Sequence, residues 1–286
     1  MYRLPAPPRG AVAVPRGAGG PALIAVAHGS RDPRSAATMA AVVADVAAAR
    51  PDIPVRLAFL DLSTPSVDEV VDDLATQGHT DVIVVPLLLG NAFHARVDLP
   101  ALLAEAGRRH PRLQLTQAAV LGPDPLLIAA VADRVALSCH LRPLLPTLVT
   151  PLVPAFPGAL AATTNPLSDA PVGIAVAAVG SRDAAANRRT AVVSRRLAAV
   201  TGCPTEMCFA TVEPSVDLAV DQLRARGAER IVVAPWFLAP GLLTDRLVAA
   251  APEVVHADVI GAHSALVDVI WARYDTSVAT ELVLSA

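Results

Sequence analysis

One stretch of this chain occurs twice, and that repetition limits what the chain can fold into. TPSVDEVVDDLATQGHTDVIVVP at 64–86 returns as EPSVDLAVDQLRARGAERIVVAP at 213–235. Pro65, Ser66, Asp68, Gly78 and Pro86 find identical partners in Pro214, Ser215, Asp217, Gly227 and Pro235. Two shorter segments follow the same pattern. VAHGSRD at 26–32 becomes AAVGSRD at 177–183, and VLGPDPLL at 120–127 becomes VIGAHSAL at 259–266. The chain is a duplicated domain.

Each copy alternates apolar runs with amphipathic stretches. ALIAVA at 22–27 has the length and uniform apolarity of a buried parallel strand. Asp32 and Pro33 supply an N-cap and a first helical residue, and Met39, Val42, Val43 and Val46 follow at helical spacing. Val55–Leu60 reads as a second strand. Thr64-Pro65 opens a second helix with Val67, Val70, Val71 and Leu74 on its apolar face, and Gly78 ends it. Thr64 is read as the cap of that helix. A third strand spans Val82–Leu89, a third helix 99–109 with Asp98 as its cap, and a fourth strand Leu113–Leu121. A fourth helix runs from Asp124-Pro125 to about Ser138.

Four successive β-α units imply a parallel sheet with helices on both faces. Right-handed crossovers favour the strand order 2-1-3-4, with a switch point between strands one and three. The expected fold is α/β, two tandem doubly wound parallel-sheet domains of flavodoxin or Rossmann type. Residues 1–20 are expected to be a disordered tail and 21–140 the first domain. A Pro-rich linker at 141–170 then leads to the second domain at 171–286.

Bulk properties exclude several classes. The net charge of −3 gives no reason to expect nucleic acid or an anionic membrane as partner. All 23 basic residues are arginine, which reads as codon bias of a GC-rich genome. The mean hydropathy of +0.50 suggests a membrane, but the longest uncharged stretch, Pro143–Ser168, is broken by six prolines and cannot span. No secretory signal core is visible near the N-terminus. Cys139, Cys203 and Cys208 form no disulfide or metal pattern, so a reducing cytoplasm is expected.

Two histidines stand where open α/β sheets place ligands. His28 leaves the first strand and His94 follows the third, so the two should face each other across the switch-point crevice. In the second copy His28 is replaced by Val179, His94 falls opposite Leu243, and Asp61 falls near Ala210 or Thr211. A residue needed only for the fold would persist in both copies. Loss from one copy suggests a task specific to the other.

HGSRDPRS at 28–35, FLDLSTPSV at 59–67 and VVPLLLGNAFHARVDLP at 84–100 resemble the sirohydrochlorin chelatase family, type II enzymes that insert a divalent metal into a tetrapyrrole. With the repeat, the resemblance extends over nearly all of 22–286. It implies that His28 binds metal and accepts a proton, and that His94 completes the metal site. It also implies that Leu89, Gly90, Asn91, Ala92 and Phe93 line the tetrapyrrole site. The family often has Glu directly before the Pro that follows strand two. Here Thr64 stands in its place, Glu213 keeps it in the second copy, and Asp61 matches an earlier acidic position.

Metal insertion requires a loosely held metal and a base for two pyrrole N–H protons. Two imidazoles suit Fe²⁺ or Co²⁺, and each is a competent base near neutrality. The metal is then a substrate and no tightly bound cofactor is expected. No phosphate loop is present, so no nucleotide is expected. Arg31, Arg34 and Arg96 lie beside the histidines and could pair with substrate carboxylates, as could Asp61 and Thr64 contribute polar contacts. The expected reaction is Fe²⁺ insertion into sirohydrochlorin, and cobalt insertion toward cobalamin is the nearest alternative. A metal or tetrapyrrole carrier is the alternative of another class. Ala27-His28-Gly29 also resembles the Arg-His-Gly of histidine phosphatases, but lacks the Arg. A duplicated chain can replace a homodimer, which predicts a monomer.

Overall fold

The structure is a computed structural model that describes residues 20–90, 97–139 and 170–284. The expected tail and most of the expected linker lie outside the described residues. The first half contains β1 (Ala22–Ala27), α1 (Pro33–Ala49), β2 (Val55–Phe59), α2 (Val67–Thr76), β3 (Asp81–Pro86), α3 (Leu99–Arg109), β4 (Gln114–Gln117) and α4 (Pro125–Ser138). The second contains β5 (Val172–Ala178), α5 (Ala184–Thr190), α6 (Val192–Thr201), β6 (Thr205–Phe209), α7 (Val216–Ala225), β7 (Arg230–Pro235), α8 (Leu242–Ala250), β8 (Val255–His256) and α9 (Ser264–Leu284).

Both sheets are four-stranded and parallel. Their orders are β2-β1-β3-β4 and β6-β5-β7-β8, as the crossover rules predict. Helix starts follow local chemistry. The Asp32 carboxylate accepts the Arg34 N–H at 2.9 Å, with Pro33 at the first helical position. Asp124 caps α4 in the same way through the Leu126 N–H at 3.0 Å.

Two expected caps need correction. Ser66, not Thr64, caps α2. Its hydroxyl accepts the Glu69 N–H while the Glu69 carboxylate accepts the Ser66 N–H, a reciprocal capping box. Asp98 precedes α3 in a helical conformation, and its side chain makes no cap hydrogen bond. The third and fourth strands are also shorter than expected. The ladder ends where Ala118 N–H donates to Val84, and then Leu121 and Gly122 N–H converge on the Leu88 carbonyl, a loop geometry.

Each sheet buries one face under its own helices. In the first half, Val70, Val71 and Leu74 of α2 and Leu99, Leu103 and Ala106 of α3 pack on Ile24 and Val84. In the second, Val220 and Leu223 of α7 and Leu247 of α8 pack on Ala175 and Val233. The other two faces share a single core that runs through both halves. The halves exchange their last helices within it. Helix α9 lies on the first half, against β3 and α1, while α4 lies on the second, against β7 and α6.

The α1–α9 seam is closely fitted. Buried Trp271 donates from its indole N–H to the Val46 carbonyl at 3.2 Å and meets Tyr274 edge-on, with ring centroids 5.2 Å apart. The Arg50 guanidinium stacks 4.3 Å from the Trp271 ring and pairs with both carboxylate oxygens of Asp275, at 2.6 and 2.7 Å. That hydrogen-bonded guanidinium holds the Asp275 carboxyl below its usual range. A depressed carboxyl stabilises the fold above its unfolded value, about 3.9, and loses that contribution as pH falls through the folded one. Because the pair is half exposed, Asp275→Asn should cost only about 0.5 kcal/mol at pH 7. The gap between variant and wild type in urea midpoint should close between pH 7 and a pH below the folded value. An equal gap at both pH values would refute this assignment.

Candidate functional site

The site is built around the exit of β1. Beyond the end of the strand pair, Leu60 N–H donates to Ala27 at 2.9 Å and Asp61 N–H to the His28 carbonyl at 3.0 Å. These two bonds draw the 60–63 loop against 28–30. Contact is so close at Gly29, whose φ is +93°, that an added Cβ would lie 1.7 Å from the Asp61 carbonyl oxygen. Only glycine meets both the backbone angle and the space. Ser63 locks the loops together, since its hydroxyl accepts the Ser30 N–H and donates to the Ser30 carbonyl, both at 3.1 Å. The Ser30 hydroxyl in turn accepts the Asp32 N–H at 3.0 Å.

Half-buried His28 therefore projects from a loop braced on both sides. Gly29→Ala is expected to cost at least about 2 kcal/mol, because backbone must move. Gly78→Ala, at φ +86° but with nothing within 4 Å, should cost about 1 kcal/mol for conformation alone. Equal thermal shifts for the two variants would show that the 28–30 and 60–63 loops are not packed this tightly.

The other sequence candidates are placed unequally. Arg31 is exposed beside His28. Arg34 is engaged elsewhere: its guanidinium bonds the buried Asp32 at 2.6 Å and Asp245 of α8 at 2.5 Å, tying the halves together. The Arg34 side chain, then its backbone N–H, holds the Asp32 carboxyl below its ordinary value. Asp61 uses one carboxylate oxygen to accept the Leu62 N–H at 2.8 Å, closing a turn in which Leu62 adopts φ +61°. Thr64 is exposed and joined to Pro65 by a cis peptide. Leu89 packs at the edge of the shared core, and Gly90 is exposed. Asn91, Ala92, Phe93, His94 and Arg96 lie outside the described residues.

The second half keeps this frame without the histidine. Thr211 N–H donates to the Val179 carbonyl as Asp61 does to His28, so Thr211 and not Ala210 is the counterpart of Asp61. Gly180 has φ +89°, and the Glu213-Pro214 peptide is cis like its twin. The Glu213 carboxylate accepts the Ser215 N–H at 2.7 Å, a turn-closing role.

The pairing of His94 with Leu243 needs correction. Leu88 and Phe237 occupy the same place, each accepting the N–H that follows the fourth strand, from Leu121 and Ile260. His110 and Ala251 likewise end α3 and α8 with matching backbone angles. Between these anchors the chain advances 22 positions in the first half and 14 in the second. The first half is thus eight residues longer across the interval that carries His94.

Metal-binding alternatives among the described residues are few. No three His, Cys, Asp or Glu side chains converge there. All three cysteines are buried, and burial pushes the Cys208 thiol up to about 12, which keeps it a neutral thiol. No described helix is long and apolar enough to cross a membrane. Sequence reasoning missed the residues that brace the site from outside it. Ser63 lies within the 59–67 motif without being singled out there, Asp245 belongs to no motif, and Gly241, where an added Cβ would lie 4.0 Å from the Ser30 hydroxyl, approaches it only through the packing of the two halves.

The duplicated parallel α/β frame is shared with solved structures. SirB from Bacillus subtilis subspecies spizizenii, solved in complex with cobalt, superposes with a TM-score of 0.66 at 20% identity, covering 90% of this chain and 95% of that one. CbiX, described as the terminal enzyme for biosynthesis of siroheme in denitrifying bacteria, gives 0.59 at 22% identity, covering 88% and 98%. The CbiX family model matches residues 22–138 and 173–277, and the chain belongs to that family. Among curated relatives, the sirohydrochlorin ferrochelatase of Bacillus subtilis is 32% identical over 114 residues, 40% of this chain and 43% of that protein. The sirohydrochlorin cobaltochelatase of Methanothermobacter thermautotrophicus is 29% identical over 128 residues, 40% of this chain and 89% of the relative. The match thus spans less than half the length of the Bacillus relative.

Proposed function

We propose that this protein inserts a divalent metal into sirohydrochlorin, with Fe²⁺ as the first reading and sirohaem as the product. The observation that carries the reading is His28. It stands at the switch-point end of β1 in a frame that the second half reproduces with valine. Family membership and the ferrochelatase and cobaltochelatase relatives support it. Cobalt is the second reading, because relatives of both kinds are similar to this chain and imidazole accepts either ion.

In this reading His28 and His94 hold the incoming metal, with coordination positions left open for pyrrole nitrogens. As the metal passes to the pyrrole nitrogens, the His28 imidazole it leaves accepts the pyrrole protons in turn and releases them to solvent. One metal ion enters and two protons leave, so no redox step or nucleotide is required. Leu89, Gly90, Asn91, Ala92 and Phe93 line the macrocycle, and Arg31 and Arg96 pair with its carboxylates. Arg34, already neutralised by two aspartates, acts as a strut between the halves. Asp61 and Thr64 border the site. The working form is a cytoplasmic monomer.

The test follows sirohydrochlorin absorbance over time with Fe²⁺ or Co²⁺. Multiple turnovers above the spontaneous rate are expected. A single metallated product per chain would favour the carrier alternative, and a rate no faster than spontaneous would overturn the proposal.

A further inference from the structure

Among the described residues nine large apolar side chains are exposed. Leu62, Val97, Leu126, Val179 and Leu242 are among those that sit on loops or helix starts following the C-terminal ends of strands. Leu242 is the most exposed of the nine, at 66%. Its position is set by two contacts between the halves. The preceding Gly241 lies 3.9 Å from the Asp32 Cβ and 4.0 Å from the Ser30 hydroxyl, when measured from where its own Cβ would be. Three residues on, Asp245 is clamped to Arg34 at 2.5 Å. The first turn of α8 is therefore held against the loop that begins with His28. The short β7–α8 connection puts it there, because the second half lacks the eight residues that lengthen the matching interval in the first.

An exposed leucine held rigidly beside a polar loop gains nothing for the fold, since water covers most of it. A flat apolar surface laid on the His28 loop would change that. We infer that Leu242 is a substrate-contact residue of the second half, packing on the face of the macrocycle that His28 does not address. Val179, 45% exposed, leaves the neighbouring strand β5. In this arrangement the second half keeps the frame of the site and replaces metal chemistry with an apolar wall. The inference rests on the tetrapyrrole reading above.

The experiment measures binding of metal-free sirohydrochlorin through its own fluorescence, and metallation rates in parallel. The proteins are the full-length wild type, Leu242→Asn, Leu242→Met, and Leu218→Asn as a control on an exposed leucine of α7. Leu242→Asn is expected to raise both Kd and KM about tenfold, as removal of part of a leucine contact should. Its kcat, its melting temperature and its affinity for Co²⁺ alone should stay unchanged. Leu242→Met should restore binding, and Leu218→Asn should match wild type. If Leu242→Asn binds sirohydrochlorin within twofold of wild type, the inference fails while the chelatase reading stands. If wild type binds but does not metallate, the chelatase reading fails and the Leu242 contact is still decided by the Kd values. If wild type does not bind at all, both fall.

Discussion

His28→Val is expected to abolish catalysed metallation while leaving the fold intact. Valine is the informative replacement, because the second half already carries Val179 at the matching position. There the same backbone bond, from Thr211 N–H to the carbonyl, and the same left-handed glycine are kept. The loop therefore tolerates the smaller apolar side chain without rearrangement. Loss of a general base alone lowers rates roughly 10²–10⁴-fold, and loss of a metal ligand adds to this. The catalysed rate should fall to the spontaneous one, with the melting temperature within a degree or two of wild type. His94→Ala should give the same kinetic result. A His28→Val enzyme that keeps even a tenth of wild-type kcat/KM would exclude His28 from the chemistry. A variant that loses both activity and stability would point instead to a structural histidine.

The second large effect concerns stability. Trp271→Ala should destabilise the chain by about 3–5 kcal/mol, the usual cost of emptying a buried indole site. The residue is 5% exposed, donates to Val46, packs edge-on against Tyr274, and supports the Arg50 guanidinium on its face. Truncation empties the site and leaves the α1–α9 seam without its largest apolar contact. The core that Trp271 enters runs through both halves, so urea unfolding should shift as one transition. A biphasic curve in which only one phase moves would show that the halves unfold separately.

Much of the frame was legible in the sequence because local chemistry decides it. The Asp32-Pro33 and Asp124-Pro125 starts, the apolar stripes of α1 and α2, and the strand order all follow from spacing and crossover rules. The errors have physical causes. Thr64 and Ser66 flank the same proline, and only the Glu three residues past Ser66 reveals which hydroxyl is in the capping box. A repeat register continued unbroken past Pro86 crosses an interval whose length differs by eight residues, and so pairs His94 with Leu243. The helix exchange was not legible at all. Helices α4 and α9 carry enough apolar surface to cover either sheet, and which one they cover depends on distant partners such as the Val46 carbonyl and Arg50. Around the candidate site, motifs pointed to His28 but not to the bracing role of Ser63, nor to Asp245 or Gly241, which act through three-dimensional closeness.

The exchange of last helices also bears on how the protein is made. All four strands of the first sheet have been synthesised by Gln117, yet α9, which covers that sheet beside β3, starts at Ser264. At ordinary elongation rates of 5–20 residues per second, that delay is roughly 7–30 s. Helix α4 waits in the same way for β7. Throughout that interval the emerging chain holds out an apolar sheet face with only part of its cover. The first half cannot complete its core until α9 has been made, so its folding is coupled to a helix more than a hundred residues downstream of its own sheet. A chain that stops before α9 is therefore not a smaller working protein but an adhesive fragment, the kind of species on which chaperones and proteases act.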